Sequence, residues 1–317
     1  MNPFTLEVSM TLRPRSAVLR KALIAFLFAL LAVPSAHSQN VVIVMVDGAR
    51  YTESFGAKAT YMPHLWNELR RKGVIYTDFR NDGLTTTCPG HSAVLTGFWQ
   101  DIPNDGSVRP FEPTVFERFR NATGLPESSC YVVSGKKKLE ILGYSTNAEF
   151  GRECGAVFVA GETTSDTAAW KSLVTVLDRD HPRLTIVNFP SVDVNGHAKD
   201  WNGYLQAIRG ADSLLALLWK KLSADAFYRG TTTLFVSNDH GRHDPAHGDF
   251  QNHGDSCEGC RHIMLFAVGP DFPAGTVVRG KHTQLDIAPT VGRILGFPVP
   301  GTEGKSLLPI RKGHSRK

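Results

Sequence analysis

Three mainly apolar runs each lead within a few residues to an aspartate. Val41–Val46 ends at Asp47, Leu184–Phe189 lies just before Asp193, and Thr232–Ser237 just before Asp239. Short apolar runs of this kind read as strands buried on both faces, the mark of a parallel sheet. Val74–Tyr76, Cys130–Ser134 and Ile263–Val268 are further strand candidates. Helices are expected from Pro63 to about Arg71, over Gly203–Leu222 and over Gln284–Leu295, the last stopped by Gly296. Strands alternating with helices predict an α/β fold, a doubly wound and mainly parallel sheet flanked by helices. Ligands of such sheets lie beyond the carboxyl ends of the strands, so three carboxylates are expected along one edge. A single aspartate after a strand is ordinarily a turn former or a cap. Three of them, two with a histidine nearby, point to a site.

The first 38 residues are read apart from the fold. Arg13, Arg15, Arg20 and Lys21 precede an apolar run, Ala22–Val33, and Ala36 and Ser38 fit a small-x-small cleavage rule. This is the pattern of a secretory signal peptide. Its apolar run falls short of the ~20 residues of a membrane span. The expectation is one domain over residues 39–317, secreted or periplasmic, with no span after cleavage. Without the leader's four positive and one negative charges the formal net charge falls from +5 to +2, and the tail residues Arg311, Lys312, Arg316 and Lys317 leave the body near −2. No basic stripe with interleaved aromatics remains, so nucleic acid is not an expected partner. In an oxidising compartment the five cysteines suggest pairs, Cys130 with Cys154 and Cys257 with Cys260, leaving Cys88 over.

Asp193 and His197 stand four apart in a loop that Gly196 lets turn tightly. Asp239 and His240 are adjacent at a strand end, and His253 offers a further imidazole, with His243 and His247 as nearby competitors. Thr85–Gly97 reads as a strand-to-helix turn with Pro89 in the first helical turn. A hydroxyl there faces helix N–H dipoles, which favour negative charge. Spacing alone does not separate Thr86, Thr87 and Cys88 as nucleophile. Three carboxylates, three imidazoles and one alcohol suffice to hold two divalent cations, the equipment of an ester hydrolase acting on phosphate or sulfate.

VMVDGAR (residues 44–50), TCPGHSAVLTG (residues 87–97), D-x-x-G-H, DHG and the later H-G occur in one order that resembles the alkaline phosphatase superfamily, in particular its nucleotide pyrophosphatase/phosphodiesterase branch. The resemblance covers nearly all of the chain after the leader. It selects Thr87 as a nucleophile that forms a covalent phospho-threonine. It implies Asp193, His197 and His253 as ligands of one cation, and Asp47, Thr87, Asp239 and His240 as ligands of the other. Zinc suits such a mixed set. Lys136 and Lys138 resemble the S-x-K-x-R lysine and arginine that bind substrate, with Lys138 lacking the arginine fork. Asn104 falls in the loop of the family's oxyanion-binding asparagine, and the backbone N–H of Cys88 is a second donor. A sulfatase would carry a cysteine where Thr87 stands and an arginine where His91 stands. The expected substrate is a small phosphate ester, monoester or diester; sulfate esters, phosphonates and phosphoryl transfer are the rival chemistries.

Overall fold

The computed structural model describes Met1 and residues 38–308; the expected signal peptide and the basic tail lie outside the described residues. Nine strands form one sheet: β1 (Asn40–Val46), β2 (Val74–Arg80), β3 (Cys130–Ser134), β4 (Val157–Ala160), β5 (Leu184–Phe189), β6 (Thr232–Ser237), β7 (His262–Val268), β8 (Thr276–Val278) and β9 (His282–Thr283). Their order is β4-β3-β5-β1-β6-β7-β2-β8, with β9 also on β2. The first five strands of that order pair in parallel, and β7 alone runs against both its neighbours, β6 and β2. The fold class is therefore as the sequence predicts.

The apolar run of β1 is unbroken because both faces of the sheet are covered. Alternate residues of β1 enter different cores. Val42, Val44 and Val46 pack with the helices α4 (Asp166–Arg179) and α6 (Trp201–Ala224), whereas Val41, Ile43 and Met45 pack with α2 (Thr87–Thr96), α3 (Val115–Thr123) and α8 (Ile287–Leu295). The remaining helices are short: α1 (Pro63–Asn67), α5 (Ser191–His197) and α7 (Glu258–Arg261). The expected helix at Pro63 stops at Asn67 and continues as a 3-10 turn at Leu69–Arg71, and the one at Gln284 opens with a 3-10 turn before α8. Among the described residues no helix is long and apolar enough to cross a membrane.

The expected disulfides are absent: all five cysteines are free thiols. Cys130 is buried on β3 with its sulfur 3.7 Å from Ser129 Oγ, while Cys154 sits in a separate 3-10 turn. Cys257 caps the start of α7 and Cys260 lies within it, the Cys260 N–H donating to Cys257 O at 3.1 Å.

Candidate active site

Because β1, β5, β6, β3 and β2 share one direction, their carboxyl ends deliver Asp47, α5, Asp239, Lys136 and α2 to the same edge of the sheet. Two clusters of ligating groups form there. Asp47, Asp239 and His240 make one, and Asp193, His197 and His253 the other.

The first cluster is completely buried. His240 Nδ1 lies 2.8 Å from Gly241 O, so this nitrogen carries the proton and Nε2 presents a lone pair. Nε2 is 3.2 Å from Asp239 Oδ2 and 3.8 Å from Asp47 Oδ1. All three of these buried atoms lack a hydrogen-bond partner. Three convergent lone-pair atoms, each desolvated and unsatisfied, would cost on the order of 1–3 kcal/mol apiece. A divalent cation accepts all three at once, so the residues fit the metal. The outer oxygens are held from behind. Asp47 Oδ2 accepts from Asn188 Nδ2 at 2.8 Å, and Asp239 Oδ1 accepts from the Gly48 N–H at 3.1 Å. Gly48 has φ +69°, and a Cβ there would press on Arg242 and Asp193 at 2.9 Å, so only glycine fits. Burial, reinforced by Asp239, raises the Asp47 pKa even with Lys136 opposing.

In the second cluster His253 Nδ1 donates to Thr85 O at 2.9 Å, which aims Nε2 inward. It stands 3.1 Å from His197 Nε2 and 3.6 Å from Asp193 Oδ1. Burial lowers the His253 pKa to about 2, which leaves the imidazole neutral and able to ligate. The His253 and His240 rings stack at 3.8 Å between centroids, joining the two clusters. The expected loop at Asp193 is instead the helix α5, and i,i+4 spacing brings Asp193 and His197 onto one face. Gly196 does not serve a turn. A Cβ there would run into the guanidinium of Arg242.

Thr87 is the first residue of α2, buried, with Thr86 as its N-cap. The segment before it touches both clusters: Thr85 O takes the His253 N–H, and one turn on, His91 Nδ1 donates to Thr87 O and lies 3.4 Å from Asp239 Oδ2. Lys136 Nζ sits between the clusters, 2.8 Å from Asp47 Oδ2 and 2.6 Å from Asp193 Oδ2. Burial works against its charge, but Asp47, Asp193 and Asp239 outweigh that and hold the amine above the usual lysine range. Lys138 Nζ reaches Asn104 O at 3.0 Å and Oδ1 at 3.1 Å. The Cys88 N–H, expected as an open oxyanion donor, instead donates to Asn104 Oδ1 at 2.9 Å. Two donors thus fix the amide oxygen.

Sequence reasoning missed Arg242, which is fully buried, bonds Asp193 Oδ1 and Phe250 O, and donates to Gln251 O at 2.8 Å. Burial would raise the Asp193 pKa, yet Lys136, His240, Arg242 and His253 hold it well below the usual carboxylate range. It also missed Asn188, which links Asp47 to His91 Nε2 at 3.2 Å. Asn81 and Gln284 both donate to Asp239 O at 2.7 Å and fix that turn.

Residues 131–298, a little over half of the chain, match the family model of the Metalloenzyme superfamily. A phosphopentomutase of Herpetosiphon aurantiacus is 25% identical over 206 residues, 65% of this chain and 45% of its own length, so the chain spans less than half of that relative. The phosphonate monoester hydrolase of Silicibacter pomeroyi superposes over 85% of this chain and 76% of its own, with TM-score 0.59 and 15% identity. An inactive form of murine ectonucleotide pyrophosphatase / phosphodiesterase 5, solved in complex with AMP, covers 84% of this chain and 98% of its own, with TM-score 0.62 and 14% identity. At such identities these structures show a shared, alkaline phosphatase-like fold.

Proposed function

The chain belongs to the Metalloenzyme superfamily, and from that premise we propose that it is a two-metal phosphoric ester hydrolase of the nucleotide pyrophosphatase/phosphodiesterase kind, working through Thr87. The observation that carries the proposal is the set of orphaned lone pairs on Asp47, Asp239 and His240 beside the start of α2. Asp47, Thr87, Asp239 and His240 would hold one cation, and Asp193, His197 and His253 the other. Zinc is the proposed ion for this donor set, and when bound the pair would supply positive charge against the phosphoryl oxygens and ease ionisation of a nearby hydroxyl.

The rest falls to the chain. Thr87 Oγ1 attacks phosphorus at a helix N-terminus, whose N–H dipoles favour the developing negative charge. The Thr87 hydroxyl gives its proton to water, a bond forms from Oγ1 to phosphorus, the ester P–O bond breaks, and the leaving alcohol is protonated from water. Water then cleaves the phospho-threonine and returns the hydroxyl. Asn104, held by the Cys88 N–H and by Lys138, would supply a donor beside the nucleophile. Lys136 balances the carboxylates and is the nearest ammonium to a substrate dianion. We assign the protein to the exported class with this chemistry, on the basic and apolar leader.

The test is initial rates on p-nitrophenyl phosphate, bis-p-nitrophenyl phosphate and p-nitrophenyl sulfate, with and without chelator. Hydrolysis of either phosphate ester, lost on chelation and restored by zinc, is expected. Thr87→Ala should abolish turnover with the metal content unchanged; near-normal turnover in that variant, or preference for the sulfate, sinks the reading.

A further inference from the structure

Beyond the two clusters of the active site, a third group of ligating side chains lies in the segment that presents His253. We infer that His243, Asp255, Cys257 and Cys260 form a structural zinc site. The sequence carries the spacing of one: His243-x3-His247, then Cys257-x2-Cys260. The fold brings His243, Asp255 and Cys260 together, with their ligand atoms within 4.8 Å of one another. The Cys260 N–H donates to Cys257 O at 3.1 Å, and the Cys257 N–H donates to Asp255 Oδ1 at 2.9 Å, which folds the Cys-x2-Cys turn against that carboxylate. His243 Nε2 is buried without a hydrogen-bond partner, 3.3 Å from Asp255 Oδ2. Zinc bonds of about 2.0–2.3 Å in a tetrahedron put ligand atoms roughly 3.3–3.8 Å apart, and the His243–Asp255 separation of 3.3 Å falls in that range. His247 is half exposed and its Nδ1 already meets Asp244 Oδ1 at 2.7 Å, so it lies at the rim, in an adjoining group with Asp244 and Cys257.

The location gives the site a purpose. The Gly241 N–H donates to Cys260 O at 2.8 Å, the Arg242 N–H to Gly259 O at 3.0 Å, and the His243 N–H to Asn252 O at 2.9 Å. One ion here ties the two ends of the segment 241–260. Arg242, which pairs with Asp193, and His253, a proposed ligand of the active site, both lie within that clamp. The four residues are positioning residues.

Cobalt substitution of the reduced full-length chain tests the inference independently of the reaction, because neither active-site cluster contains a thiol. A thiolate-to-cobalt charge-transfer band in the near ultraviolet is expected. It should persist in His253→Ala and vanish in His243→Gln and in Cys260→Ser, each with the loss of one metal equivalent per chain by elemental analysis. Absence of the band from the unmutated protein, which does not depend on any variant folding, overturns the site. So does mass spectrometry showing Cys257 and Cys260 joined as a disulfide in the purified protein. A band lost in His247→Gln but kept in Asp255→Asn overturns this ligand set.

Discussion

Arg242 shows how far a single side chain can govern a site. It is a fully buried cation whose guanidinium serves Asp193 and two carbonyls. Arg242→Met removes those bonds and leaves a buried carboxylate short of a counter-charge. The expected cost is about 3–5 kcal/mol, read from denaturant midpoints with chelator present. A loss of under about 1 kcal/mol would show that the burial is not as tight as the geometry says. Asp166 gives a pH signature. It exchanges hydrogen bonds with Ser191, its N–H to Ser191 Oγ at 3.0 Å and its Oδ1 from the Ser191 N–H at 2.7 Å, yet burial raises its pKa from 3.8 to about 6. The folded state then holds this proton more tightly than the unfolded chain, so its stability is full below the unfolded pKa and is lost as pH rises to about 6, by up to about 3 kcal/mol. Asp166→Asn should lack that loss, so the stability difference between variant and parent should grow in the variant's favour from about pH 4 to about pH 7. A constant difference would refute the raised pKa. Asn188 was legible in principle, as a polar residue inside an apolar run. Arg242 was not, because its partner Asp193 stands 49 positions away and nothing local marks an arginine for burial.

At the scale of elements, the strands that matter were legible because burial on both faces keeps their runs mostly apolar. β4 was not, being half exposed and short. The error at α5 has a physical cause. Gly196 between polar residues reads as a turn, whereas here the glycine is a gap into which Arg242 fits. Ordinarily alanine at a helical glycine gains about 1 kcal/mol. Gly196→Ala should forfeit that gain, shift Arg242 and weaken cation binding at Asp193 and His197, as a competition titration with a chromophoric chelator would reveal. Unchanged affinity would mean that the guanidinium yields at no cost. Helix α1 is capped from another element: Asp212 on α6 accepts the N–H groups of His64 and Leu65, both at 2.8 Å. Asp212→Ala should therefore cost about 1–2 kcal/mol in a urea melt although the residue is remote from α1 in sequence. A cost within error would assign the start of α1 to packing alone.

For the whole molecule, the question is how three buried carboxylates gathered on one sheet edge are kept from repelling one another. The sequence showed the three carboxylates and the two lysines but not which charges face which, since that depends on strand order. The fold answers with Lys136, whose ammonium lies within 2.8 Å of Asp47 and 2.6 Å of Asp193, one carboxylate from each proposed cation site. Lysine and cations thus draw on the same carboxylates. Cations bound only by the folded chain raise its stability by mass action, so chelation should lower the melting temperature. Removing Lys136 sharpens the dependence. With Lys136→Met, the chelated protein loses a buried counter-charge, a loss on the order of 3–5 kcal/mol, while the zinc-loaded protein loses less because the cations still neutralise the carboxylates. By the closed cycle, the variant must bind zinc more tightly, by about tenfold for each 1.4 kcal/mol of the difference. Paired melts of parent and variant, chelated and loaded, measure both sides of that cycle. A larger melting shift on zinc loading in Lys136→Met than in the parent is the expected result. A smaller one would show that the ammonium supports the loaded site instead of competing with it, and would move Lys136 from the carboxylates to the substrate.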